Sequence, residues 1–213
     1  HRQANTKALM PFVVGGHPTP DSLPTVIKAM DDAGADIIEI GFPFSDPIAD
    51  GPVIAAAMHE ALQNQVTPGK ILESISAVRP HIKAGLVAML SVSITDRLGR
   101  ASFLDRAVNA GLDGVILPDL DPEQAPDVAN LCDQRGLSLG LLVGPATTGS
   151  RLTSILNSCR GFVYLLARAG ITGESKAAPE VEARVTELRK VTKLPIACGF
   201  GIGSPSQVEA VTK

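Results

Sequence analysis

One arrangement recurs along the chain and constrains its fold more than any other feature. A stretch with helical apolar spacing ends in Gly, and a short apolar run follows at once. Asp32-Ala33-Gly34 leads into ADIIEIGFP, and Asn109-Ala110-Gly111 leads into LDGVILPD. Arg135-Gly136 leads into LSLGLLVG, and Arg160-Gly161 into FVYLLARAG. A last run, LPIACGFG, follows Lys193 without the Gly. Gly after a helix takes the left-handed conformation that ends it. The runs that follow are short and rich in branched residues, so they read as buried strands. Helices are expected over about 22–33, 102–110, 122–134, 150–158 and 180–192, with further starts at Pro52 and at Thr67-Pro68. Strand and helix in alternation with short links mean crossover connections and a parallel sheet.

About seven strands are legible, near 10–15, 35–42, 84–91, 114–119, 137–143, 162–168 and 194–200. A (β/α)8 TIM barrel has eight strands and about 250 residues. The reading is therefore a single barrel domain over 1–213, C-terminally incomplete and lacking its last βα unit. An open doubly wound sheet is the runner-up, but no GxGxxG follows the first strand. The first and seventh strands are expected to leave an open seam between them, wetting inward side chains such as Phe12 and Ile196.

Composition narrows the function. A net charge of −3 offers no basic excess for phosphate backbones, and aromatics at 3% with no Trp offer no base-stacking platform, so nucleic acid is excluded as a partner. Hydrophobic residues at 45% against 19% charged exclude a disordered chain. Uncharged stretches such as 143–150 carry Gly and Pro and are too short to span a bilayer, so no membrane partner is expected. Cys132, Cys159 and Cys198 are far apart, and the four His are scattered, which signals neither a disulfide framework nor a metal site. A reducing, cytoplasmic setting follows. No signal peptide is visible, and His1 is not a natural start.

A charged residue inside a doubly covered strand is costly unless it works or is paired. Glu39 stands in Ile37-Ile38-Glu39-Ile40-Gly41. Alternation sends Ile38 and Ile40 to one face and Ile37, Glu39 and Gly41 to the other. In a barrel the second set faces inward, and Glu39 then lies near the strand's C-terminal end, where barrels keep their chemistry. The alternative is a carboxylate satisfied by an Arg or by backbone donors. Asp119 ends its strand and is either a site residue or a cap for a helix beginning near Pro122. Tyr164, the single Tyr, is either a site residue or core. Asp46 and Asp50 lie in the Pro- and Asp-rich loop after the Glu39 strand, where Asp50 could also cap the helix from Pro52. Glycines at 170 and 173, and again at 199, 201 and 203, allow close backbone approach to an anion and favour a phosphorylated substrate.

Four strings, in order, resemble one family. EIGFPFSDPIADGP (39–52) looks like the signature of the tryptophan synthase α subunit. MPFVVGGHP (10–18) resembles that family's first strand and loop. RGFVYLLARAGITG (160–173) resembles its sixth strand and following loop, and GFGIGSPSQV (199–208) resembles its seventh strand and phosphate loop. The resemblance spans nearly the whole chain. It implies a (β/α)8 barrel that cleaves indole-3-glycerol phosphate to indole and glyceraldehyde 3-phosphate, with no cofactor and no metal of its own. It implies a pyridoxal-phosphate β subunit as partner, in an α2β2 heterotetramer. By position, Glu39 matches the catalytic acid/base and Asp50 the carboxylate that meets the indole N–H. Tyr164 matches an active-site tyrosine and Phe12 a ring packing on substrate. Thr172 matches a loop residue that positions Asp50, and Gly173 and Gly201 match phosphate-loop glycines. The loops 43–52 and 172–179 are expected to close over substrate.

The chain departs from the family's pattern in several places. The eighth strand and most of an N-terminal helix are missing, Asp121 stands where Pro is common, and Met89 stands near an often aromatic position. Two other readings are a non-catalytic barrel that binds and regulates a β subunit, and a sugar-phosphate isomerase, against which the SDPIADGP loop argues.

Overall fold

The computed structural model describes residues 6–46, 50–167 and 181–212. The strands are β1 (Phe12–Val14), β2 (Ile37–Gly41), β3 (Gly85–Met89), β4 (Gly114–Ile116), β5 (Ser138–Gly140), β6 (Leu142–Val143), β7 (Val163–Leu166) and β8 (Ile196–Gly199). The helices are α1 (Leu23–Asp32), α2 (Pro52–Gln63), α3 (Pro68–Val78), α4 (Val92–Leu98), α5 (Arg100–Ala110), α6 (Ala125–Asp133), α7 (Gly149–Ser158), α8 (Glu182–Val191) and α9 (Pro205–Thr212). Every strand pair is parallel, in the orders β1-β2-β3-β4-β5 and β6-β7-β8.

The four glycines read as helix stops all hold left-handed backbones: Gly34, Gly111, Gly136 and Gly161 have φ of 92°, 90°, 68° and 82°. The residues around them staple the unit. In Ala33-Gly34-Ala35-Asp36 and Ala110-Gly111-Leu112-Asp113, the Asp two residues past the Gly accepts a hydrogen bond from a neighbouring segment. Leu9 N donates to Asp36 Oδ2 and Leu86 N to Asp113 Oδ2, each at 2.8 Å. Arg135 and Arg160, just before their glycines, bond carbonyls at the end of the helix each follows and pair with Asp105 and Asp133. A cation at a helix C-terminus also offsets the helix dipole.

Alternation along the strands divides the core in two. Ile38, Ile40, Leu86, Ala88, Val115, Val163 and Leu165 pack outward against the helices. Val87, Met89, Ile116, Phe162 and Tyr164 fill a separate inner cluster with Phe12, Ile37, Leu142, Leu166, Ala197 and Phe200. This is the inside and outside of a barrel wall. Ile196 belongs to the outer layer, which corrects the inward orientation expected for it. Among the described residues β1 pairs only with β2 and β8 only with β7. Phe12, Val13 and all of β8 are correspondingly only half-buried. No described helix is long and apolar enough to cross a membrane.

Three local expectations change. The run 137–143 is not one strand: Ser138–Gly140 pairs with β4 and Leu142–Val143 with β7. The break lets one chain serve two neighbours around a curved wall, and Gly140 accommodates the bend because a Cβ there would lie 2.7 Å from the Phe162 ring. The helix expected from Pro122 begins at Ala125. Asp121 instead closes a turn, its Oδ1 accepting from Glu123 N at 2.9 Å. Asp119 is a cap, but for α4 rather than α6: Oδ1 accepts from Val92 N at 2.8 Å and Oδ2 from Ser91 Oγ at 2.6 Å. That capping also accounts for α4 itself, a helix with Val92, Ile94 and Thr95 in its first turns, which the local spacing did not suggest.

Candidate active site

Parallel strands place all their C-terminal ends on one face, and the inward side chains there define the site. Glu39 is the third residue of β2 and the only charged side chain among the buried described residues, 2% exposed. Phe12 stands opposite it across β1 and β2, with its ring on the bare face of Gly41; a Cβ there would come within 2.8 Å of Phe12 Cε2. From across the barrel Tyr164 donates its hydroxyl to Glu39 Oε2 at 3.3 Å, joining residues 125 apart in sequence. Glu39 Oε1 has no partner among the described residues. Among the described residues neither an Arg nor a backbone donor satisfies it.

The environment sets the protonation of Glu39. Burial pushes its pKa up from 4.5 to about 8; the Tyr164 hydrogen bond opposes this, and the nearby charge of Asp50 adds to it. A neutral carboxylic acid therefore faces the barrel interior at neutral pH. Asp50 is half-buried and also raised by burial. The residue capping α2 is Gly51, so Asp50 stands one position before the cap, beside the mouth. Tyr164 is raised well above 10 by burial first and by Glu39 second.

The loop after β8 completes this face. Gly199 has no side chain where Tyr164 lies: a Cβ there would be 2.6 Å from Tyr164 Cζ. Phe200 and Gly201 follow with φ of 70° and 77°. Gly201 follows the C-terminal end of β8. Phe200 was not singled out in the sequence, since nothing marks a Phe for a left-handed backbone. Thr172 and Gly173 lie outside the described residues, as do 47–49 of the first loop and the whole of 172–179. Met89, a departure from the family pattern, is an inner-cluster side chain, 7% exposed. Asp119 is spent on α4 and does not join the site.

Among the described residues no group of three or more His, Cys, Asp or Glu is placed to hold a metal ion. An apolar groove of about 630 Å³ runs beside β1, lined by Phe12, Val14, Val53 and Ile54 among others. It contains none of Glu39, Asp50 or Tyr164, so the two carboxyls and the phenol, not the groove, locate the chemistry.

The family model for the tryptophan synthase alpha chain matches residues 1–213. The tryptophan synthase alpha chain of Nitratidesulfovibrio vulgaris is 40% identical over 210 residues, covering 98% of this chain and 82% of that one. That of Rhodopirellula baltica is 43% identical over 208 residues, covering 96% and 75%. Among solved structures, Mycobacterium tuberculosis tryptophan synthase superposes with a TM-score of 0.89 at 33% identity, over 99% of this chain and 80% of that one. A mutant alpha subunit from Pyrococcus furiosus gives 0.87 at 28% identity, over 96% and 82%. Parallel strands with an inner and an outer face, a buried carboxyl on the inner face and this likeness agree: the chain belongs to the tryptophan synthase alpha chain family, a lyase family of tryptophan biosynthesis.

Proposed function

We propose that this chain cleaves indole-3-glycerol phosphate to indole and glyceraldehyde 3-phosphate, with Glu39 as the acid/base. The observation that carries the assignment is a carboxyl held neutral to about pH 8 with one oxygen unpartnered among the described residues. Breaking the bond at indole C3 requires a proton on that carbon. Glu39 delivers it, and the electron pair of the ring closes the new C–H bond. The carboxylate left behind takes the proton of the side-chain hydroxyl next to C3. The O–H electrons form the aldehyde, the C–C bond breaks, and its electrons restore the indole ring. A buried acid with a pKa near the working pH suits both steps.

Protonation at C3 puts positive charge on the indole nitrogen. Asp50, ionised, stabilises that charge as it develops. Two carboxyls with opposite tasks thus sit at one mouth. Tyr164 orients Glu39, and Phe12 packs on the indole ring. Gly201, with Thr172 and Gly173, belongs to the loops that hold the phosphate and set Asp50. Residues 1–213 act as one barrel domain without a cofactor of its own, in the cytoplasm. The partner is a β subunit whose pyridoxal phosphate receives the indole, in an α2β2 assembly; exposed Ser45 and Asp46 at the mouth suit that contact.

The test is indole release by the purified chain, alone and titrated with a β subunit. Turnover that E39Q removes supports the lyase reading. Stimulation of the β subunit's own reaction without any indole release, in wild type and E39Q alike, would establish the regulatory module in its place.

A further inference from the structure

We propose that Phe200 is a positioning residue: its left-handed backbone turns its ring inward to hold Tyr164 against Glu39. The argument rests on alternation. In β8, Ala197 faces the inner cluster and Cys198 the outer one, so Gly199 faces inward and an extended residue 200 would face out. Phe200 instead has φ of 70° and its ring lies in the inner cluster. A left-handed backbone is uncommon for a bulky residue and is retained where the surroundings over-determine it. The ring meets Tyr164 edge-on, with centroids 5.8 Å apart at 84°. Gly199, just before it, leaves the space that the phenol occupies. Two successive residues therefore do one job: the first leaves room for Tyr164, and the second holds it there. Tyr164 in turn makes the one hydrogen bond that the Glu39 carboxyl has among the described residues.

The inference rests on the lyase reading for its consequence on turnover, but not for the contact itself. Tyr164 is the single Tyr of a chain without Trp, so its emission reports this one position. The experiment compares wild type with Phe200→Leu and Phe200→Gly. Glycine is the residue best suited to φ near 70°. If Phe200 served only the turn, F200G would leave the protein at least as stable and Tyr164 as shielded as before. The expected result is that both variants expose Tyr164, raising the acrylamide quenching constant of its emission about threefold or more, and lower kcat about ten- to hundredfold with a smaller change in KM. F200Y, which keeps the ring, should restore most of kcat. Quenching unchanged in both folded variants overturns the proposal, whatever the activity. A raised KM with unchanged kcat and quenching also overturns it, by making Phe200 a substrate contact. If the wild type releases no indole, the lyase reading fails while the quenching result still decides the contact.

Discussion

Replacing Glu39 by Gln removes a group whose burial ties folding to pH across the neutral range. In the unfolded chain a Glu titrates near 4.5, and in the fold this one titrates at about 8. Below pH 4.5 both states hold the proton, and Glu39 adds no pH dependence. Between 4.5 and 8 the unfolded chain has lost the proton while the native protein keeps it, so the native state binds more protons and stability falls as pH rises. Above 8 both have lost it and the loss is complete. A difference of about 3.5 units, at 1.36 kcal/mol each, amounts to about 5 kcal/mol at full titration. That is comparable to the whole stability of a small domain. Gln keeps the shape and still accepts from Tyr164, but it carries no charge at any pH. Urea unfolding of wild type and E39Q at pH 5 and pH 9 isolates the effect. The advantage of E39Q over wild type should grow by several kcal/mol between the two. Parallel pH dependence in the two proteins would refute the reasoning, because Glu39 would then titrate alike folded and unfolded.

Other changes test the neighbours. Tyr164→Phe removes a hydrogen bond that lowers the Glu39 pKa, so the alkaline loss of turnover should move to higher pH while kcat falls; an unmoved limb would separate the two residues. Gly199→Ala places a methyl within 2.6 Å of the phenol, and should cost about 1–3 kcal/mol in denaturant unfolding and lower kcat about tenfold; a neutral result would mean the ring moves freely. Asp119→Ala removes two hydrogen bonds at the start of α4 and should cost about 0.5–2 kcal/mol with kcat within about twofold. Full stability with lost turnover would instead put Asp119 in the site.

The parts of this fold that were legible in the sequence are those set by neighbours in the chain. Gly34, Gly111, Gly136 and Gly161 end helices because a left-handed residue is a local requirement, and all four were readable as stops. The inward face of Glu39 followed from strict alternation inside five residues of β2. What was not legible depends on contacts made across the barrel. Asp119 caps a helix that precedes it, through Ser91 and Val92, 28 and 27 residues back. The break at Leu141 arises because β4 and β7 pull the two halves of one run to different neighbours. Phe200 has no local reason to turn left-handed; the ring of Tyr164 on the neighbouring strand β7 supplies it.

The most direct measurement follows the Glu39 carboxyl itself, by the ¹³C shift of its side-chain carbon against pH in the folded protein, assigned by its absence in E39Q. The account predicts a midpoint at about 8, so that the group is a neutral acid when indole is released. A midpoint in the ordinary Glu range near 4.5 would contradict it, leaving an ionised Glu39 with no proton to deliver to C3.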